Sequence, residues 1–190
     1  MSGPPRSAAR EPDGVWLVTG VQASGKSTVA DLLARRFDRG VHVRGGQFYR
    51  WAVSGWVHFD DPDRSEARRH LDLRYRLSAT VADEYAAAGF GVVVQDNIYG
   101  GDVVRWLEHI RARPYHLVVL RPSIETVVAR DATRRRLTAK VAYRGGFTVG
   151  ENDAALAATP RLGLWLDTSR QTPEETVDEV LARRDVARVG

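Results

Sequence analysis

GVQASGKST, residues 20–28, follows the apolar run VWLVT (15–19) and precedes VADLLARRF (29–37). The nine residues satisfy G-x-x-x-x-G-K-[ST] in full. The flanks matter as much as the letters. Val15 to Thr19 is short and rich in β-formers, which predicts a buried strand. Val29, Leu32, Leu33 and Phe37 recur at helical spacing, which predicts a helix. Gly20 and Gly25 allow tight turns and close approach of the backbone to a ligand. The N–H groups of Ala23, Ser24, Gly25, Lys26, Ser27 and Thr28, at a helix start, form an anion cradle. In this pattern Lys26 reaches β/γ-phosphates and the Ser27 hydroxyl is placed to ligate Mg²⁺. A loop of this kind holds a nucleoside triphosphate.

The rest of the chain alternates strand and helix. Strands are predicted at 40–44 (GVHVR), 90–96 (FGVVVQD), 115–120 (YHLVVL) and 162–168 (LGLWLDT). Helices are predicted at 65–88, with Asp63 or Ser65 as cap and Gly89 as stop, at 102–112, at 123–136, and from Pro173 onward. This order implies one α/β domain over 14–190, a parallel sheet with helices on both faces. Residues 1–13 read as a disordered lead-in, and 137–161, with Gly145, Gly146 and Gly150, as a mobile lid.

Composition narrows the function classes. With 28 basic and 24 acidic residues the net charge is +4, carried by 26 arginines and only two lysines, Lys26 and Lys140. The arginines are dispersed, so no nucleic-acid partner is expected. No run of 18 apolar residues exists and the N-terminal residues lack an apolar stretch, so neither a membrane partner nor a secretory signal is expected, and the expected location is cytoplasmic. The absence of cysteine excludes disulfides and thiolate zinc sites. No N-K-x-D guanine motif follows a strand, which argues against a GTPase switch.

In open α/β sheets ligands lie at the carboxyl ends of strands. The strand at 90–96 delivers Asp96 there, as a direct or water-mediated Mg²⁺ ligand, as a proton acceptor, or as the cap of a turn before Asn97. After the second strand come Arg44, Gly45, Gly46, Gln47, Phe48, Tyr49, Arg50 and Trp51. Arg44, Gly46, Phe48, Arg50 and Trp51 suit an acceptor pocket, the alternative being solvated arginines and core aromatics. Arg130 and Arg134 share a helix face next to the expected lid. They could stabilise charge on a transferring phosphoryl group or lie on a solvated face; Arg135 and Arg136 point elsewhere.

GVQASGKST, VVVQD, VVLRPSIETVVARDATR and LGLWLDTSRQTPEETVDEVL together resemble the small P-loop kinases of the AAA-type group. The resemblance is strongest to chloramphenicol phosphotransferase-like proteins, with zeta-toxin kinases further off, and covers nearly everything after residue 14. It implies a P-loop NTPase three-layer sandwich, a five-stranded parallel sheet in the order 2-3-1-4-5 with a short lid, ATP-Mg²⁺, and phosphate transfer to a hydroxyl of a small molecule, an antibiotic or related metabolite. It also implies that Arg130 and Arg134 are lid arginines and that Thr168 to Thr172 border adenine. One departure stands out. Such kinases carry an Asp, the expected acceptor base, just after the second strand, where this chain has Gly46. Asp96 then serves as base, or position alone activates the hydroxyl, or catalysis is weak. A nucleoside or nucleotide kinase and a degenerate ATP-binding protein are the rival readings.

Overall fold

The computed structural model describes residues 13–59, 61–138 and 148–190. Five strands, β1 (Val15–Gly20), β2 (Gly40–Arg44), β3 (Gly91–Gln95), β4 (Tyr115–Leu120) and β5 (Leu164–Leu166), form one sheet in the order β2-β3-β1-β4-β5. Every pairing is parallel, with Val15 opposite both Val92 and Tyr115. The expected strand order is therefore the observed one.

Alternation along the strands divides the core between two faces. Trp16, Val18, Val93, Val118, Leu120, Leu164 and Leu166 pack on one face against α1 (Lys26–Ala34) and α7 (Pro173–Ala182). Val15, Leu17, Val92, Val94, Leu117 and Val119 pack on the other. That face is covered by α3 (Arg64–Ala87), through Tyr75, Ala79 and Ala82, and by α4 (Asp102–His109), through Val103, Trp106 and Leu107. A sheet covered on both sides explains why its strands read as continuous apolar runs.

Local signals set the helix ends. Asp63 caps α3 by accepting the Glu66 N–H at 3.0 Å. Thr172 and Glu175 form a reciprocal capping box on α7, with Pro173 at the first turn.

Two segments depart from expectation. Gln47–Trp51, where no helix was expected, is the short helix α2. The segment from 148, read as the second half of an aperiodic lid, contains α6 (Val149–Ala157), opened by a Thr148–Glu151 capping box. Its Leu156 is fully buried in the core. Arg121, just after β4, clamps Asp153 with two hydrogen bonds of 2.9 and 2.8 Å. Thr159 Oγ1 accepts the Gly100 N–H at 2.7 Å. This stretch is an anchored wall. The rest of the expected lid, 139–147, and the lead-in at 1–12 lie outside the described residues. α5 (Ile124–Thr138) leads up to that gap, and α8 (Arg184–Ala187) closes the chain. No described helix is long and apolar enough to cross a membrane.

Candidate nucleotide and acceptor site

The loop after β1 lies at the carboxyl end of the sheet, between β1 and α1. Its conformation demands the glycines it carries. Gly20 has φ 148°, and a Cβ there would lie 2.3 Å from the Leu120 carbonyl oxygen. Gly25 has φ 98°, and Ala23, at φ 63°, is the non-glycine residue with positive φ among those described. The loop leads directly into the N-terminus of α1, whose free N–H groups and dipole favour an anion.

Lys26 is 5 % exposed and donates to the Val21 carbonyl at 2.6 Å. Burial pushes its pKa down to about 7, opposed by the Asp96 carboxylate and assisted by the Arg134 guanidinium. Lys26, Asp96 and Arg134 therefore feel one another across the loop. Arg130 ties the loop to the β5–α7 turn, donating to the Ser24 carbonyl at 3.2 Å and to the Thr168 carbonyl at 2.8 Å. Asp131, buried on the same helix, holds Arg134 at 3.0 Å and Arg135 at 2.7 Å.

The lowered pKa has a measurable consequence. Phosphates favour the charged lysine, and above pH 7 the free protein must take up a proton to supply it. ATP affinity should therefore weaken with rising pH, on the order of 50-fold between pH 7 and 9 for one proton. Calorimetric titration across that range checks this, with Lys26→Arg as the variant expected to flatten the profile. A flat wild-type profile would contradict it.

The end of β3 holds two polar residues that face opposite sides of the sheet. Gln95 faces α1, and its Oε1 accepts the Ser27 hydroxyl at 3.0 Å. Asp96, 3 % exposed, turns the other way. Its Oδ2 accepts Arg74 Nε at 2.8 Å, and its Oδ1 accepts Arg74 Nη2 and the Asn97 N–H, the latter at 2.7 Å. Gly45 makes room for this pair, since a Cβ there would come within 2.1 Å of Asp96 Oδ2. Arg74 also lies 4.6 Å above the Tyr49 ring. Thus Gln95, rather than Asp96, stands beside Ser27. Asp96 enters from β3 into the space next to the turn after β2.

Mg²⁺ prefers oxygen donors and keeps several waters, binding through one or two protein oxygens and the substrate phosphates. The Ser27 hydroxyl and the Gln95 amide oxygen fit that requirement. No group of three or more His, Cys, Asp or Glu among the described residues could hold a metal by itself.

A cavity of about 390 Å³ opens beside the phosphate loop. Gln22, Arg74, Tyr75, Asn97, Tyr99 and Asn152 are among its lining residues, so α3, the β3–α4 segment and α6 each supply a wall. Arg44, Gly46, Phe48, Arg50 and Trp51 do not line it. The helix α2 explains why: it buries Phe48 in the core and turns Arg50 and Trp51 outward, Trp51 to 69 % exposure. Arg44 is exposed, and nothing lies within 4 Å of a Cβ built on Gly46. Arg74 was missed by reading the sequence, yet it had a signal. It lies with Ala67, Leu71, Tyr75, Ser78 and Ala82 on the inward stripe of α3, where an unpaired arginine would be costly. A larger cavity of about 690 Å³, around Arg39, Asp83 and Phe90, lies at the other end of the strands, away from the phosphate loop.

The sheet order and the glycine loop define a P-loop NTPase fold of the kinase type. Residues 15–143 match the AAA domain family, and the chain belongs to it. No match was found among curated proteins. Among solved structures the chain is similar to a sugar kinase from Janibacter sp. HTCC2649, at 20 % identity and TM-score 0.63, covering 91 % of this chain and 95 % of that one. It is also similar to the Mycobacterium tuberculosis APS kinase CysC in complex with AMPPNP and APS, at 19 % identity and TM-score 0.62, covering 90 % and 96 %. A gluconokinase from Sinorhizobium meliloti 1021 gives 18 % identity and TM-score 0.58, covering 94 % and 95 %. At these identities the likeness is one of fold.

Proposed function

We propose that this chain is an ATP-dependent phosphotransferase that moves the γ-phosphate to a hydroxyl of a small molecule. The observation that carries the reading is convergence. The Lys26 loop, the α5 arginines and the buried Arg74–Asp96 pair all meet at the carboxyl ends of β1 and β3, beside a cavity of about 390 Å³. The neighbours named for sugar, APS and gluconate kinases support the class.

In this reading the loop N–H groups and Lys26 hold the β- and γ-phosphates, with Arg134 alongside. Mg²⁺, held through Ser27 with Gln95 behind it, would offset phosphate charge. The acceptor oxygen forms its bond to Pγ while the Pγ–O bond to the β-phosphate breaks, and ADP leaves with that electron pair. The hydroxyl proton passes to Asp96, whose Oδ2 lies against Gly45 with one lone pair beyond its bond to Arg74. Arg74 fixes the carboxylate. A loose transition state needs little base assistance, so positioning supplies most of the acceleration.

Acceptor-stimulated ADP production, measured over a panel of hydroxylated compounds that includes antibiotics, sugars and nucleosides, tests the reading. Stimulation by at least one small alcohol above basal hydrolysis is expected. ATP binding with no stimulation across the panel would favour a degenerate ATP-binding protein, for which Gly46 in place of the usual Asp is the specific support.

A further inference from the structure

The solvent side of α3 and the segment before it expose large apolar side chains together. Trp51 is 69 % exposed and Val53 98 %, and Trp56, Leu73 and Leu77 are exposed as well. They are neighbours. Leu73 and Leu77 line a small hollow with Phe48, Ala52, Ser54 and Trp56. Trp56 stacks on Tyr49 at 5.4 Å between centroids, and Trp51 packs edge-on against Phe48 at 5.0 Å. The five exposed side chains present on the order of 500 Å² of apolar surface, the size at which a patch marks an interaction site.

The exposed stripe of α3 extends this patch in both directions. Arg69, Leu73, Arg76, Leu77, Thr80 and Glu84 are all exposed, and their spacing of three and four residues puts them on one helix face. The stripe is self-complementary about a point between Arg76 and Leu77. Leu73 and Thr80 are equidistant from that point, and so are Arg69 and Glu84. An antiparallel copy of α3 on a two-fold axis there sets Arg69 against Glu84 of the partner subunit, and the reverse, about 22 Å apart along the helix. Arg69 also holds Glu66 at 2.5 Å through one nitrogen, and the guanidinium has further donors for a second carboxylate. Arg76 lies at the edge of the stripe away from the hollow, where solvent reaches its charge.

We propose that the chain forms a two-fold homodimer through the outer face of α3 and the Trp51–Trp56 segment, with the two α3 helices antiparallel. The occupant is a second copy because the stripe matches itself in charge at both ends. Two-fold symmetry brings like edges together, so the aromatic segments of the two subunits meet each other near the axis. A standard interface buries about 800 Å² per partner; the apolar patch forms its core and the polar ends of the stripe its rim. The rim pairs fix the antiparallel direction. α3 faces the sheet through Tyr75, Ala79 and Ala82 and the acceptor cavity through Leu71, so the dimer leaves that cavity open. None of this depends on the phosphotransferase reading.

Sedimentation equilibrium on the full chain, without nucleotide, tests the proposal. A dimer with a Kd on the order of micromolar is expected. Leu73→Glu combined with Leu77→Glu should give a folded monomer with an unchanged circular dichroism spectrum, since both side chains are exposed. Arg69→Glu alone, or Glu84→Arg alone, should weaken the dimer by roughly tenfold, because each reverses two rim pairs. Arg69→Glu together with Glu84→Arg should restore the wild-type affinity, which a merely structural role for either residue would not do. A wild-type chain still monomeric at about 100 µM overturns the proposal. So does a dimer indifferent to the leucine substitutions, or a double charge reversal that fails to restore association.

Discussion

Lys26→Ala is expected to keep its fold and lose ATP-dependent transfer by roughly 10³-fold or more, the scale on which a single charge on a transferring phosphoryl group acts. The fold should survive because the lysine is a liability without ligand. It is buried, with its pKa driven down to about 7 by desolvation, so its removal takes a buried cation out of the apo protein. Thermal melting should therefore be unchanged or slightly higher while turnover collapses. Near-native turnover in this variant would remove the basis for reading the GVQASGKST loop as a phosphate cradle.

Asp96→Asn should lower turnover by a factor on the order of 10² to 10⁴, the range for general-base catalysis. It also leaves the Arg74 guanidinium buried without its carboxylate, at a cost of about 3–5 kcal/mol in stability. Activity must therefore be scaled to folded protein. Two further variants separate chemistry from stability. Replacing both partners, Arg74→Leu with Asp96→Leu, should recover much of the lost stability and none of the activity. Gly46→Asp in the Asp96→Asn background should restore part of the turnover. Gly46 is in the right-handed helical region at φ −62°, and a Cβ there meets nothing within 4 Å, so the new carboxylate is tolerated. Full activity in Asp96→Asn, with ATP-Mg²⁺ affinity intact, would reduce Asp96 to a structural partner of Arg74.

The strands were legible because they announce themselves, while their order was implied by the resemblance to small P-loop kinases. β1 and β4 are apolar on both faces, and a parallel sheet is what such runs build. The phosphate loop was legible because its chemistry lies in consecutive residues. The acceptor side was harder, since its walls come from three distant segments. Arg74 and Asp96 are 22 residues apart, and only the packing of α3 on β3 brings them together. Strand alternation could have shown that Gln95 and Asp96 face opposite ways, leaving just one of them for Ser27. The aromatics after β2 drew attention through composition, but α2 places Phe48 and Trp51 by helical geometry, one inward and one outward. The order in α6 was hidden by Gly145 and Gly146 upstream of it and by Gly150 in its first turn. Its signal, Thr148 followed by Glu151, is a capping box that marks a helix start.

The most direct test of the account is the fate of the γ-phosphate, followed by ³¹P NMR with ATP, Mg²⁺ and each acceptor of the hydroxylated panel, at least one of which should take it up. The account predicts that the γ-signal is lost while ADP and a phosphomonoester signal grow in equal amounts, at a rate abolished by Lys26→Ala. ATP left intact, or converted only to ADP and inorganic phosphate with every hydroxyl acceptor tried, would contradict it.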